Sequence, residues 1–459
     1  MDPNPPSPSV EELVYALQKT KHILPRTSPV VHDPEGNASP ATRDVTKHLR
    51  MLDQLALILV LRPRSDVAAV TMVERAQPET AKPTTTFFFV KNQPCSSVEK
   101  DHVQRLVEIA NTPASRHLDI TRELIELVFR GCRAKIEARV LKLHKSRQEM
   151  GSPPSRSPPP NELDKLATAL EISNPSAFAW TDFVETFFGD VSEVVSNRNY
   201  RRALLSRLSA RANFLTIFRF LSYLGPPKIQ RRVEKLATYL TICNHLGRLI
   251  HLKQSTRIFR AEEVLMLGPP PGELVLRPSV MDILNRFRAG YTQSAQPITL
   301  AEVYRAIPSL QHLRGVAQGA EQVPSTPDPL TLPDFVRVRV HCECALTAGI
   351  SQNVPGLLKI GVSKTSCGPC AIYLSAFAAA RRKVVVSGTH GKMYPGWIPP
   401  TAANDQDIQA AMLEEVTAEM RRLVEEVDTR RGSDSTAEKT PSDPDLDPDE
   451  MALCAELSR

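Results

Sequence analysis

The stretch that decides the reading is VRVRVHCECAL (Val336–Leu346) followed, fourteen residues on, by IGVSKTSCGPCAIYLSAFAAA (Ile360–Ala380). A run of alternating valines leads straight into His341, and LLKIGVS (Leu357–Ser363) is a second strand-like run. Cys367 and Cys370 then open a segment of small and apolar residues that reads as a helix. An i, i+3 spacing places both thiols in the first turn of that helix, where its positive end favours thiolates. A second helix is expected to begin at His341. Imidazole and thiolate are zinc ligands, and a catalytic zinc keeps one of four positions open. His341, Cys367 and Cys370 are therefore a candidate Zn2+ site.

Working outward, KVVVSG (Lys383–Gly388) is a third strand, GTHGKMYPGW (Gly388–Trp397) a loop, and Asp405–Arg430 a long amphipathic helix. Strands alternating with helices imply an α/β sandwich over residues 331–431. Upstream the pattern changes. Residues 96–330 read as almost wholly helical, interrupted by the Pro- and Ser-rich stretch 151–160, which is expected to be an exposed loop. Before that block, residues 43–95 hold a helical pattern (Arg43–Leu61) and two runs rich in β-branched and aromatic residues. These are VAAVTMVE (Val67–Glu74) and TTTFFFVKN (Thr84–Asn92), which read as a β-hairpin. Residues 1–42 combine a short amphipathic helix (Val10–Lys21) with Pro-rich spacers and are expected to be loose. Residues 432–459 are acidic and rich in Ser and Pro, and are expected to be a disordered tail.

The net charge of +6 is unevenly spread. Residues 404–459 carry 16 acidic and 6 basic side chains, so the remaining body is strongly basic. A basic body attracts polyanions, nucleic acid among them, although a solvated helical surface has the same composition. The first residues have neither a basic start nor an apolar core, so no secretory signal is expected. The longest apolar run, Leu55–Leu61, is too short for a bilayer. An intracellular location, cytoplasmic or nuclear, with reduced thiols follows as the expectation, and no membrane partner. Protein partners are not readable.

The motifs HCE at His341–Glu343, IGVSKTSCGPC at Ile360–Cys370 and GTHGKMYPGW at Gly388–Trp397 together resemble a largely fungal branch of the nucleic-acid and nucleotide deaminase superfamily. That likeness covers residues 335–400. It implies a cytidine deaminase-like three-layer α-β-α sandwich, split in this chain by a large all-α insertion. The hairpin is what joins the two parts: VAAV followed by a strand ending in KN resembles the opening strands of cytidine deaminases. On that resemblance Asn92 faces the substrate pocket. The resemblance also assigns Glu343 as the proton shuttle, not a ligand, in hydrolytic deamination of a nucleobase carried in a nucleotide or nucleic acid, cytosine ahead of adenine. It departs at Ser366, where deaminases usually have Pro; here Pro369 falls between the two cysteines.

Around the metal, His390 is a candidate hydrogen-bond donor to substrate, and Tyr394 and Trp397 are candidates to stack on a base. The competing reading is that the glycines make turns, His390 caps one and Trp397 closes the core. Two other uses of the ligand residues stand beside the catalytic one. Cys344, one turn after His341, would complete a closed structural Cys3His site with no open position, leaving a deaminase-like binding module. Cys-Gly-Pro-Cys is also a thiol redox motif, although the Trp and later strands of thioredoxins are missing. Cys95, Cys132, Cys243 and Cys454 lack metal spacing and are expected in core or tail, and Cys342 is expected to face away from the metal.

Overall fold

The computed structural model describes residues 6–21, 23–24, 30–32, 43–63, 67–75, 84–111, 117–150, 157–169, 179–196, 201–217, 219–251, 261, 263–268, 272–292, 297–307, 310, 328, 330–350, 357–381, 383–400 and 406–431. Most of the Pro-rich loop 151–160, and all of the acidic segment 432–459 with Cys454, lie outside the described residues.

Six strands form one mixed sheet. They are β1 (Val30–His32), β2 (Ala68–Arg75), β3 (Thr84–Lys91), β4 (Glu263–Leu267), β7 (Leu358–Val362) and β8 (Val384–Val386), in the spatial order β1-β8-β7-β2-β3-β4. β5 (Glu273–Arg277) and β6 (Asp334–Val338) make a separate antiparallel pair. The hairpin β2–β3 thus lies in the same sheet as β7, although almost 270 residues separate Lys91 from Leu358 in the chain. Ala69 pairs with Val362 and Val70 with Gly361, while β7 and β8 run parallel.

The helices are α1 (Val10–Lys19), α2 (Arg43–Ile58), α3 (Ser97–Ala110), α4 (His117–Gly131), α5 (Arg133–Met150), α6 (Pro160–Ala169) and α7 (Trp180–Ser196). They continue with α8 (Arg201–Ile217), α9 (Pro227–His251), α10 (Val280–Thr292), α11 (Leu300–Ala306), α12 (Cys342–Gly349), α13 (Gly368–Ala380) and α14 (Gln406–Arg431). Three of them, α1, α3 and α11, begin with a capping box, in which Ser9, Ser96 or Thr299 exchanges hydrogen bonds with a Glu three residues on.

Period-two alternation along the strands sorts side chains onto two cores. Ala68, Val70, Phe87 and Phe89 pack with α2 and the block α3–α9. Ala69, Val73, Phe88 and Val90 face the other way, among α1, α12, α13 and α14. The three consecutive phenylalanines of β3 are all buried because the strand is covered on both faces, each contributing about 2–3 kcal/mol of burial. On β7 the same alternation sends Leu358, Ile360 and Val362 to the second core. Gly361 points at α2, where a Cβ would sit 2.2 Å from the carbonyl carbon of Leu52. Only glycine lets the helix axis come this close.

Two sequence expectations change. Residues 96–330 are not all helical: β4 returns to the sheet and pairs parallel with β3, and β5 pairs with β6. Residues 1–42 are not uniformly loose, because α1 buries Leu13–Leu17 in the second core and β1 forms the sheet edge beside β8. The VRVRV run does not enter the main sheet but supplies β6 and the approach to His341. Among the described residues no helix is long and apolar enough to cross a membrane.

Candidate metal centre

His341 and Cys367 are both N-cap residues, of α12 and α13 respectively. Each has extended backbone angles, and each carbonyl accepts the first helical hydrogen bond, from Ala345 (2.9 Å) and Ala371 (3.0 Å). Cys370 follows in the first turn of α13. Pro369 stands at the second helical position, where a missing N–H costs no hydrogen bond, so its place between the cysteines does not disturb the helix start.

Two helix N-termini therefore converge on one point. His341 Nδ1 lies 3.3 Å from Cys367 Sγ and 3.3 Å from Cys370 Sγ, and the two sulfurs are 3.2 Å apart. Tetrahedral zinc, with bonds of roughly 2.0 Å to nitrogen and 2.3 Å to sulfur, needs its ligand atoms about 3.5–3.8 Å apart. A spread of about half an ångström reaches that geometry, so the donor set and its spacing fit the ion. These three side chains form the group able to hold a metal among the described residues.

The electrostatics are those of a ligand set already sharing a proton. Burial pushes the Cys367 thiol up, but hydrogen bonding from Cys370 and the adjacent His341 overcome it, and Cys367 falls well below the ordinary thiol range. Burial works against charge on His341, yet the Cys367 sulfur and then Glu343 raise its proton affinity above the usual imidazole value. Burial holds Cys370 protonated, reinforced by Cys344 and Cys367. A cation in the pocket replaces that proton.

Cys344 is fully buried one turn after His341. Its thiol interacts with Cys370, which lowers a pKa that burial raises, but it is not one of the three atoms that meet. Glu343 is 4% exposed, and its carboxylate accepts from the Cys342 thiol at 3.2 Å. It acts electrostatically on both His341 and Cys367. Cys342 thus faces Glu343 and is not one of the three atoms that meet.

The loop 388–397 locks both ligand helices. Ser366 N–H donates to Gly388 O (3.1 Å), His390 N–H to Ser366 O (3.1 Å) and Gly368 N–H to Lys392 O (2.9 Å), which fixes the chain on either side of Cys367. Thr389 Oγ1 adds a bond to Ser366 O (2.7 Å). Gly391 has φ of +71°, and a Cβ there would lie 2.0 Å from Leu24 O. At the far end of the loop, Arg339 N–H donates to Gly396 O (2.7 Å) and Ile398 N–H to Arg339 O (3.2 Å), two residues before His341.

The loop side chains divide. Tyr394 sets its ring edge-on to both His341 and His390, with centroids 5.7 and 5.8 Å apart. His390 Nδ1 accepts from Lys392 N–H at 3.1 Å, capping the turn and leaving Nε2 to carry the proton. Trp397 has no exposed surface and lies against Cys344, so it closes the core and is not available to stack on a base. Asn92 spends its carboxamide oxygen on Val67 N–H (2.8 Å), closing the open end of the hairpin beside Ser363. Cys95, Cys132 and Cys243 belong to the first core or pack against it, whereas the ligand cysteines lie in the second.

Asp53 is a positioning residue not singled out from the sequence. From α2 it accepts Val362 N–H (2.8 Å) and the Ser387 hydroxyl, and so ties together the ends of β7 and β8 from which both site loops depart. Its signal was there: Leu49, Leu52, Asp53 and Ala56 follow the i, i+3, i+4, i+7 pattern, placing a carboxylate on an apolar face.

Residues 340–401 match the model of a deaminase family described as OTT_1508-like. The matched segment begins one residue before His341 and contains α12, β7, α13, β8 and the locking loop. No curated protein and no solved structure matches the chain.

Proposed function

We propose that this protein is a zinc-dependent hydrolytic deaminase acting on a nucleobase in a nucleotide or nucleic acid, with cytosine preferred to adenine. The observation that carries the proposal is the meeting of His341 Nδ1, Cys367 Sγ and Cys370 Sγ at two helix N-termini, with buried Glu343 next to it. The deaminase-family match over the same segment supports it.

His341, Cys367 and Cys370 would hold the ion, which supplies a Lewis acid that brings the pKa of water near neutrality. The net reaction replaces the exocyclic amino group of an amidine carbon by oxygen: water is consumed and ammonia leaves. Glu343 is the residue that moves the protons. It takes one from the attacking water, and delivers protons to the ring nitrogen and to the departing amine. At 4% exposure the Glu343 carboxylate is buried beside the ligand set. Tyr394, edge-on to His341, holds the imidazole plane, and His390 beside it is the candidate hydrogen-bond donor to substrate.

One observation favours a second reading. Cys344 is close enough to Cys370 to interact with it, and a small shift would close the site as Cys3His without catalysis. Metal analysis of the purified protein, together with an ammonia-release screen over free nucleosides, nucleotides, single-stranded DNA and RNA, separates the two. The deaminase reading expects about one zinc per chain, its loss in His341→Ala, and ammonia from at least one substrate class. Zinc with no ammonia from any of them, and zinc lost on Cys344→Ala, is the outcome of the structural site.

A further inference from the structure

Across the sheet from the metal ligands lies a cavity of about 490 Å³ that the chemistry above does not use. It opens where the parallel strands β7 and β8 end, and the helices α8 and α9 of the inserted block roof it. It lies on the opposite face: α2, α8 and α9, which line it, pack in the first core, whereas the ligand helices pack in the second, and Val362 at the end of β7 borders it. Crevices beyond the carboxyl ends of parallel strands are where open α/β sheets take ligands, and this volume suits a molecule of mononucleotide size.

The lining is chemically divided. The lining includes three consecutive residues of the loop after β7, Ser363, Lys364 and Thr365, and Arg50 of α2. The Ser363 hydroxyl oxygen accepts from Ala68 N–H at 2.9 Å, so its proton is left to donate. The Thr365 hydroxyl has no hydrogen-bond partner among the described residues, and Arg50 pairs with no carboxylate among them. Leu57, Ala237 and Ile242 supply an apolar wall. Two carboxylates also line the space. Asp53 is occupied by Val362 N–H and Ser387. Glu234 is exposed on α9 and offers an acceptor to hydroxyl or amino groups.

Two hydroxyls, an ammonium and a guanidinium among the lining residues match the three oxygens of a phosphate monoester. We propose that this cavity binds a small phosphate monoester, with the phosphate at Arg50 and Ser363–Thr365 and an uncharged body against the apolar wall. Because Thr365 stands two residues before Cys367, an occupant bears on the same loop that delivers a metal ligand. The site lies on the other face of the sheet, so its existence does not depend on the deaminase reading.

Calorimetric titration of the full chain with cytidine monophosphate, cytidine and inorganic phosphate tests this, in the zinc-loaded protein and after chelation. Cytidine monophosphate should bind at least about tenfold more tightly than cytidine, equally well without metal, with inorganic phosphate competing. Arg50→Gln combined with Lys364→Gln, both exposed and neither a metal ligand, should weaken it by about tenfold or more. Equal affinity for cytidine and its monophosphate, unchanged binding in the double variant, no binding at all, or binding that disappears with the metal would each overturn the proposal.

Discussion

Replacing Gly361 by alanine puts a methyl group where the backbone of α2 already is. The added carbon would lie 2.2 Å from Leu52 C, 2.3 Å from Leu52 Cβ and 2.6 Å from Asp53 N, against ordinary contacts of about 3.4–4 Å. Two of these three atoms are backbone, so no side-chain rotation relieves the overlap and α2 must retreat by about 1 Å. Overpacking of this kind costs about 1–3 kcal/mol. The retreat also stretches the 2.8 Å bond from Val362 N–H to Asp53, and a bond to a charged group contributes about 1.5–3 kcal/mol. The sum is roughly 2.5–6 kcal/mol, which for an unfolding entropy of about 1 kcal/mol/K in a chain of 459 residues is a fall in Tm on the order of 3–6 °C. Urea denaturation followed by circular dichroism measures it, with Gly189→Ala as control. Nothing lies within 4 Å of a Cβ at Gly189 in α7, and alanine there should stabilise by up to about 1 kcal/mol. An unchanged midpoint for Gly361→Ala would refute the reasoning, because α2 would then not lie on β7 and the sheet would not be assembled from segments far apart in sequence.

Further outcomes follow from the same geometry. Cys344→Ala should retain zinc at wild-type stoichiometry by atomic absorption, whereas Cys367→Ser or Cys370→Ser should lose most of it; zinc loss in Cys344→Ala points to the closed site. His48 is lowered from the usual 6.5 to about 4 by burial and then by the Lys359 ammonium. Its folded pKa is depressed, so the neutral ring belongs to the fold: stability is fully present above pH 6.5 and is lost as pH falls towards 4. His48→Gln should flatten that part of the stability profile, and an identical acid limb in the variant would contradict it.

The ligand triad was legible because zinc chemistry restricts residue type and helical spacing so tightly that His341, Cys367 and Cys370 need no tertiary information. The hairpin was legible for a similar reason, as three Phe between β-branched residues satisfy a strand covered on both faces. The sequence failed where local pattern is ambiguous. EVLML and ELVLR are five-residue apolar runs, which periodicity cannot tell from helix, and both became strands by pairing with β3 and β6. The fates of the loop aromatics were equally hidden. Tyr394 and Trp397 are three residues apart with the same composition around them, yet one stands beside His341 and the other is sealed against Cys344, a choice made by the backbone bonds from Arg339 to Gly396 and Ile398. Asn92, expected to face a substrate pocket, gives its carboxamide oxygen to Val67 N–H at the open end of the hairpin.

The central claim is that Glu343 moves protons beside a metal it does not bind. Ammonia release by zinc-loaded wild type and Glu343→Gln, measured side by side with zinc content and melting temperature, addresses it directly. The account predicts equal zinc, a melting temperature within a few degrees, and a loss of turnover of about 10²–10⁴-fold in the variant. Undiminished ammonia release from Glu343→Gln, with its metal in place, would contradict it.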